Sequence, residues 1–160
     1  MIYRNQFGVI GIPIYLTVAI ITASIILIIF AKSIVHILEE SQTDIVKKQI
    51  EKIISEAENM FEYADSGSKI KIELDFPESM SFAVFGKMPD NTSKPTNLEI
   101  NEQMSNNYYF VMQNKEICSY SSNARFCGES TNKIAVLNKG KYSIYLELVY
   151  FDGKTHVKIY

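Results

Sequence analysis

The stretch VIGIPIYLTVAIITASIILIIF, residues 9–30, decides the organisation of this chain of 160 residues. It holds 22 consecutive residues without a charged side chain. At a rise of about 1.5 Å per residue, an α-helix of this length spans roughly 33 Å, and the hydrocarbon core of a bilayer is about 30 Å thick. The stretch therefore predicts a transmembrane helix, which we place at residues 9–31.

Two other interpretations of this apolar stretch are weaker. A buried core helix would have to be surrounded on all sides by the fewer than 130 residues that remain. A cleaved secretory peptide normally has a shorter apolar region, and Ala31-Lys32-Ser33 is a poor match to the small-x-small cleavage site. We therefore expect the helix to be retained as a membrane anchor.

Charge is distributed unevenly along the chain. Residues 1–31 carry one charged side chain, Arg4, whereas residues 32–65 carry four lysines and eight acidic residues. Residues 66–160 are nearly balanced, with eleven basic and ten acidic side chains. No segment has the basic excess that binding to nucleic-acid phosphates requires, so we expect no nucleic-acid partner.

Small residues recur along the predicted membrane helix at Gly8, Gly11, Ala19 and Ala23, and Pro13 removes one backbone donor near its start. Small residues let helices approach closely in lipid, so this stripe is a candidate packing surface for another copy of the chain. The alternative is that small residues are simply frequent in membrane helices.

After the membrane segment the apolar period changes. In residues 32–65 apolar positions recur in steps of four and three, which predicts an amphipathic stalk helix that continues to about Tyr63. The seam of this helix consists of Val46, Ile50, Ile53, Ala57, Met60 and Ala64, and a slightly offset stretch of Ile34, Leu38, Ser41 and Ile45 precedes it. The seam packs either on the protein's own sheet or on neighbouring subunits.

Residues 66–160 have the pattern of an antiparallel β domain. Residues 66–68 contain a glycine and end the helix, and residues 69–76 alternate between charged and apolar side chains, which predicts a strand with one buried face. Further strands are predicted at residues 80–85, 98–103, 108–113, 116–121 and 133–137. Residues 87–97 carry two prolines and many polar side chains, which predicts a loop.

The clearest strand pair is a hairpin around Asp152-Gly153, a dipeptide typical of two-residue hairpin turns. Pairing across this turn matches apolar residues with each other and opposite charges with each other: Leu148 with Val157, Leu146 with Ile159, and Glu147 with Lys158. Seven or eight short strands after one helix predict an α+β fold, in which a long amino-terminal helix precedes an antiparallel domain similar to a β-sandwich.

Two features indicate that this β domain lies outside the cytoplasm. Cys118 and Cys127 are the only cysteines, and we expect them to form a disulfide; two unrelated buried thiols are the alternative. Asn91-Thr92-Ser93 is the only N-x-S/T sequon, which makes Asn91 a candidate glycosylation site.

The flanking charges give a weaker indication of orientation. Arg4 favours a cytoplasmic amino terminus, whereas Lys32 favours the opposite orientation. Together with the cysteines and the sequon, this predicts a cytoplasmic stub at residues 1–8 and an extracellular domain at residues 66–160. The chain is then a single-pass protein of the cell membrane.

The sequence offers few residues for catalysis. His36 lies on the predicted stalk and His156 on the predicted hairpin, more than a hundred positions apart, and neither has a serine or cysteine partner at a recognisable spacing. We expect no enzymatic activity, no cofactor and no metal, and we interpret His156 as a solvent-facing strand residue. The tyrosines, including Tyr108-Tyr109-Phe110, form either an adhesive surface or, as strands generally favour, packed aromatic side chains.

Together these features resemble the archaeal type IV pilin-like proteins. The resemblance covers the layout of the whole chain, and its local patterns are the apolar helix with glycine and proline, the segment SGSKIKIELDFPESMSFAVFG (66–86) and the final YFDGKTHVKIY (150–160). In that family a prepilin peptidase cuts after a basic residue and a small one. By resemblance, the processing region is Arg4, Asn5 and Gln6, with Asn5 in place of the small residue.

The resemblance implies a subunit, either a major or a minor one, of an archaeal type IV pilus-like filament. Its partners would be membrane lipid, a prepilin peptidase, and copies of itself or other pilin-like subunits. Ile10 stands where many pilins carry glutamate. The alternative function is a monomeric, membrane-anchored extracellular module that binds a ligand or another protein.

Overall fold

The computed structural model describes the backbone of residues 8–160 and the side chains of residues 14–160. Within this range the chain forms one long helix, one short 3₁₀ helix and eight strands. The elements are α1 (Gly8–Tyr63), β1 (Lys69–Phe76), β2 (Met80–Phe85), the 3₁₀ helix (Glu102–Met104), β3 (Asn107–Met112), β4 (Ile117–Ser121), β5 (Phe126–Cys127), β6 (Ala135–Asn138), β7 (Gly140–Phe151) and β8 (Lys154–Ile159). This is the predicted α+β layout.

The strands form two four-stranded sheets. The first has the order β1-β7-β8-β5 and the second the order β4-β3-β2-β6. Neighbouring strands are antiparallel, except that β5 runs parallel to β8. Apolar side chains from both sheets belong to one core, as expected for a sandwich-like domain.

The chain divides into two compact units, one that ends at Ser41 and one that comprises Gln42–Tyr160. The boundary falls inside α1, so the carboxy-terminal part of this helix belongs to the same unit as the strands. The structure thereby assigns the last turns of the predicted stalk to the β domain.

The predicted helix seam packs on the protein's own sheets. Val46, Ile53 and Ala57 have no exposed surface, Ile50 and Met60 are almost completely buried, and all of them share the core with residues of both sheets. Ala64 packs against the same core. The first of the two interpretations of the seam is therefore confirmed, whereas the offset stretch that precedes it is exposed.

Polar contacts fix the helix against the domain at separate points along its length. The Lys52 ammonium donates to the carbonyl oxygen of Glu73 on β1 at 3.1 Å. The Glu58 carboxylate accepts from the Ser122 hydroxyl at 2.7 Å and from the Asn123 amide at 3.0 Å, in the loop between β4 and β5. These bonds set the position of the helix, whose burial supplies most of the attraction.

Gly67 connects the helix to the first strand. Its backbone has a φ of 91°, a conformation that favours glycine because a β-carbon would be strained there. The Gly67 amide donates to the carbonyl of Leu148 at 2.7 Å, and the Leu148 amide donates to the carbonyl of Ser68 at 3.0 Å. The chain thus enters the sheet directly after the turn.

The predicted hairpin is confirmed in its register. Strands β7 and β8 pair Leu148 with Val157, Leu146 with Ile159 and Glu147 with Lys158. Asp152 and Gly153 have φ angles of 49° and 75°, as a type I′ turn requires. The charge contact differs from the expectation, because Glu147 lies 3.2 Å from Lys69 on β1 while the Lys158 ammonium lies over the ring of Tyr160.

The strand predicted at residues 98–103 is wrong. Residues 102–104 form the 3₁₀ helix, whose start is capped by the Asn101 side chain accepting from the Gln103 amide at 3.0 Å. Only a single bridge, between Glu99 and Lys133, gives this segment a strand-like contact. The two-residue strand β5 was not predicted, because two residues are too few to show a period.

This same segment covers the outer face of the second sheet. Phe82, Val84, Tyr109, Val111 and Ile134 form a second buried cluster, against which Ile100 packs. Strand β2 is therefore buried on both faces, which explains why the sequence of β2 does not alternate between apolar and polar side chains.

We predict that Ile53→Ala lowers the free energy of unfolding of the β domain by about 2–5 kcal/mol, because it removes buried methyl groups and leaves a cavity. Ile45→Ala is the matched control, since Ile45 lies on the same helix but is 40% exposed. Denaturant unfolding of the detergent-solubilised chain measures both. Equal losses for the two variants would contradict the burial of the seam.

Candidate functional site

Helix α1 exposes its apolar side chains over many turns. The large apolar residues from Ile14 to Phe30 are about half exposed or more. Within the described residues, α1 is the one helix that is long and apolar enough to cross a membrane by length and composition. This finding is compatible with a single-pass anchor.

Polar side chains within the apolar part of the helix satisfy their own hydrogen bonds. The hydroxyl of Thr22 donates to the carbonyl of Val18 at 2.8 Å, and that of Ser24 donates to the carbonyl of Ile20 at 2.8 Å. Further along, Ser33 bonds the carbonyl of Ile29 in the same way at 3.0 Å. Such bonds allow hydroxyl groups to lie in the hydrocarbon core of a bilayer, which offers no hydrogen-bond partners.

The exposed apolar surface continues beyond the charge-free stretch. After Lys32, the helix exposes Ile34, Val35, Ile37 and Leu38, of which Ile37 is 64% and Leu38 59% exposed. A contiguous apolar surface that faces water rather than lipid marks an interaction site. The apolar surface is therefore longer than the stretch that first identified the membrane helix.

The predicted helix-packing residues lie partly within the described side chains. Ala19 and Ala23 are exposed on α1. The helix begins at Gly8 and continues through Gly11 and Pro13, and only the backbone of these three residues is described. The predicted processing residues Arg4, Asn5 and Gln6 lie outside the described residues. Their role stays a prediction.

The two cysteines are free thiols, so the predicted disulfide is not formed. Cys118 lies on β4 opposite Phe110, whereas Cys127 lies on β5 opposite Lys158 in the other sheet. The residues between them carry the chain from one sheet to the other, and this separates the thiols. The cysteines therefore give no information about the redox compartment.

The sequon residue Asn91 is exposed in the loop between β2 and β3. Its side-chain oxygen accepts from the Ser93 amide at 2.8 Å, which forms a local turn. Asn91 is thus accessible to a modifying enzyme, and its glycosylation stays a prediction.

The expectation for His156 is wrong, since this side chain is only 1% exposed. It lies on the outer face of β8, and Glu102 of the 3₁₀ helix lies against it, with 3.5 Å between His156 Nε2 and Glu102 Oε1. Neither ring nitrogen makes a hydrogen bond with a described residue. The other oxygen of Glu102 accepts from the Lys154 ammonium at 3.0 Å.

These surroundings shift the titration of both groups. Burial lowers the pKa of His156, and the Glu102 carboxylate offsets this only in part. The hydrogen bond from Lys154 lowers the pKa of Glu102, against the opposing effect of its partial burial. His156 is thus held neutral under conditions in which an exposed histidine takes up a proton.

The aromatic run Tyr108-Tyr109-Phe110 packs inside the domain, as the second interpretation predicted. Tyr109 and Phe110 are buried, and Tyr108 stacks on Phe85 with 5.9 Å between ring centroids. The more exposed tyrosine pair is Tyr145 and Tyr160, which are stacked at 5.8 Å across β7 and β8.

A polar cleft of about 440 Å³ lies beside the His156–Glu102 pair. We call it the Arg125 cleft, and its walls include Phe61, Glu102, Gln103, Asn106, Asn123 and Arg125. Sequence reasoning missed this cleft because its residues come from the end of α1, the 3₁₀ helix and the loop before β5, which show no shared motif. Among the described residues, no group of three or more His, Cys, Asp or Glu side chains is arranged to hold a metal ion.

Comparison of this chain with protein-family models, with curated proteins and with solved structures gave no match. Function must therefore be inferred from the helix and the clefts themselves.

We predict that the free energy of unfolding falls as the pH is lowered below about 6.5, the ordinary pKa of histidine. The pKa of His156 is lower in the folded state, so as the pH falls the unfolded chain takes up this proton before the folded chain does. The stability that neutral His156 contributes is complete above the unfolded-state pKa and is lost as the pH falls toward the folded-state pKa. For one proton the slope is at most about 1.4 kcal/mol per pH unit.

Denaturant unfolding between about pH 5 and pH 8 measures this slope. His156→Leu should flatten the profile, while His36→Gln, at an exposed helix position, should leave it unchanged. Glu102 titrates below this window because its pKa is lowered from 4.5. An unchanged slope in His156→Leu would show that another group is responsible.

We also predict that both thiols are free in the native protein and differ in reactivity. Burial raises the pKa of Cys127 to about 11, and burial together with the Glu116 carboxylate also raises the pKa of Cys118. Cys118 is the more accessible thiol, since Cys127 is buried. Since the thiolate reacts, native alkylation should modify Cys118 first and Cys127 only after unfolding. Mass spectrometry detects both, and a bridged peptide without reduction would contradict the structure.

Proposed function

We propose that this chain is a pilin-like, membrane-inserted subunit whose apolar helix packs against the helices of other copies and whose β domain faces the cell exterior. The observation that carries this proposal is the length of exposed apolar helix. A filament or oligomer buries such a surface on several sides, whereas the chain's own domain buries only the later seam.

The length argument distinguishes assembly from simple anchoring. The 25 residues from Ile14 to Leu38 span roughly 37 Å as a helix, and a bilayer core covers about 30 Å. Burying a large apolar side chain contributes about 1.5–3 kcal/mol, so exposed residues beyond the bilayer favour a protein partner. Ile34, Val35, Ile37 and Leu38 are the residues that a neighbouring helix would cover.

Small residues in the same helix fit this proposal. Ala19 and Ala23 are four residues apart and lie on one face, where a neighbouring helix can approach closely. The orientation, with the β domain outside, rests on the resemblance to pilin-like proteins and on the accessible sequon at Asn91. The cysteines do not support this orientation, because they form no disulfide.

We predict that replacing Ile34, Ile37 and Leu38 by glutamine preserves membrane insertion, because the stretch from Val9 to Phe30 is intact. The same replacement should lower, at least about tenfold, the amount of protein in the sheared fraction, which is the filament material released from the cell surface by shearing. A tenfold change corresponds to about 1.4 kcal/mol, less than the burial of one such side chain. Quantitative immunoblotting of membrane and sheared fractions of producing cells measures the two pools.

The matched control replaces Tyr63, Met88 and Tyr150 by glutamine, since these are also exposed apolar residues but lie outside the apolar helix surface. This control should assemble normally. A second variant exchanges residues 9–30 for a leucine-rich span, which should insert into the membrane and fail to assemble. Normal assembly of both helix variants would leave the monomeric anchored module as the better account.

A further inference from the structure

The Arg125 cleft contains polar side chains whose hydrogen-bonding capacity is not used inside the protein. The Arg125 guanidinium and the carboxamides of Gln103 and Asn123 make no side-chain hydrogen bond or ion pair with any other described residue. In contrast, the Asn106 carboxamide is occupied, because it donates to the carbonyl of Ser122 at 3.3 Å. Three side chains that line the cleft are therefore available to a ligand.

Arg125 is the decisive member of this set. Its side chain is partly buried, and its charge acts on Glu102 and His156 without forming an ion pair with either. A guanidinium held in a cleft without a carboxylate partner favours an anion, which it binds through two parallel hydrogen bonds. The ligand should therefore carry a carboxylate or a similar planar anionic group.

Glu102 limits which anion fits. Its charge is already compensated by the Lys154 ammonium at 3.0 Å, so it does not require a cationic group on the ligand. Its oxygens still have free lone pairs and can accept from hydroxyl groups. A bare inorganic anion would meet repulsion from Glu102, whereas a ligand with both a carboxylate and hydroxyl donors would satisfy both residues.

Phe61 adds an apolar wall to the cleft. Its ring packs partly against the main core, and its remaining surface lines the cleft beside Asn123. The carbon-bound hydrogens of a sugar ring suit such a surface, and its hydroxyls suit carboxamides, which both donate and accept. The volume of about 440 Å³ lies within the range of small-ligand sites.

We propose that the Arg125 cleft binds an acidic saccharide through a uronic acid unit. The carboxylate of that unit pairs with Arg125, its hydroxyls bond to Gln103, Asn123 and Glu102, and one face of the sugar ring lies against Phe61. This binding function is independent of assembly through the apolar helix. It would give an exposed β domain a means to attach to acidic polysaccharides.

The test is a titration of the full chain in detergent micelles with an oligogalacturonate, followed by calorimetry or by NMR. Arg125→Met should weaken binding at least about tenfold, because the carboxylate loses its charged partner. Asn123→Asp should weaken binding as well, because it places a second negative charge at an exposed side chain. Its free energy of unfolding is measured alongside, since the Asn123 amide donates to the Glu58 carboxylate. Lys139→Met, at an exposed lysine that pairs with Glu78, should bind like the wild type.

Ligand controls separate the sugar from its charge. An oligomer of the same length with its carboxyl groups reduced to alcohols should bind at least about tenfold more weakly, and acetate or glycine should not compete at the same concentration. Equal affinity for the reduced oligomer, competition by glycine, or unchanged binding by Asn123→Asp would each overturn the proposal. An absence of binding by the wild-type chain would overturn it too, and it would leave the assembly function untouched.

Discussion

Burial of the α1 seam against the two sheets is the contact on which the rest of this structure depends. Val46, Ile53 and Ala57 lose all of their exposed surface there, and side chains from both sheets complete the same core. At about 25 cal/mol for each Å² of apolar surface removed from water, these residues contribute more than the polar bonds of Lys52 and Glu58. The same helix exposes its apolar residues from Ile14 to Leu38. This contrast between a buried and an exposed apolar part of one helix is the basis of the proposed assembly function.

Sequence reasoning succeeded where a local pattern was long enough to specify a face. The hairpin register, the seam and strand β1 were all predicted, since periodicity and turn chemistry act over neighbouring residues. The segment 98–103 was predicted as a strand, but the Asn101 cap and the packing of Ile100 decide its conformation. His156 alternates with core residues and so was expected in solvent; only the tertiary fold brings Glu102 against it.

The candidate sites divide in the same way. The apolar helix is visible in the sequence, because one composition extends over many residues. The Arg125 cleft is not, because Phe61, Glu102 and Arg125 are separated along the chain and meet only through the packing of α1 and the loops. The free cysteines show the opposite error, in which two nearby thiols were expected to pair although β4 and β5 belong to different sheets.

Cysteine cross-linking in native membranes tests most directly whether other copies cover the apolar helix. In a background of Cys118→Ser and Cys127→Ala, single cysteines would replace Ile34, Val35, Ile37 and Leu38 in turn, with Lys48 as the exposed reference position on the same helix. Our account predicts disulfide-linked dimers that are abundant at the apolar positions and rare at Lys48. Uniformly rare dimers along the whole series would contradict it, since they would show that no second helix lies against this surface.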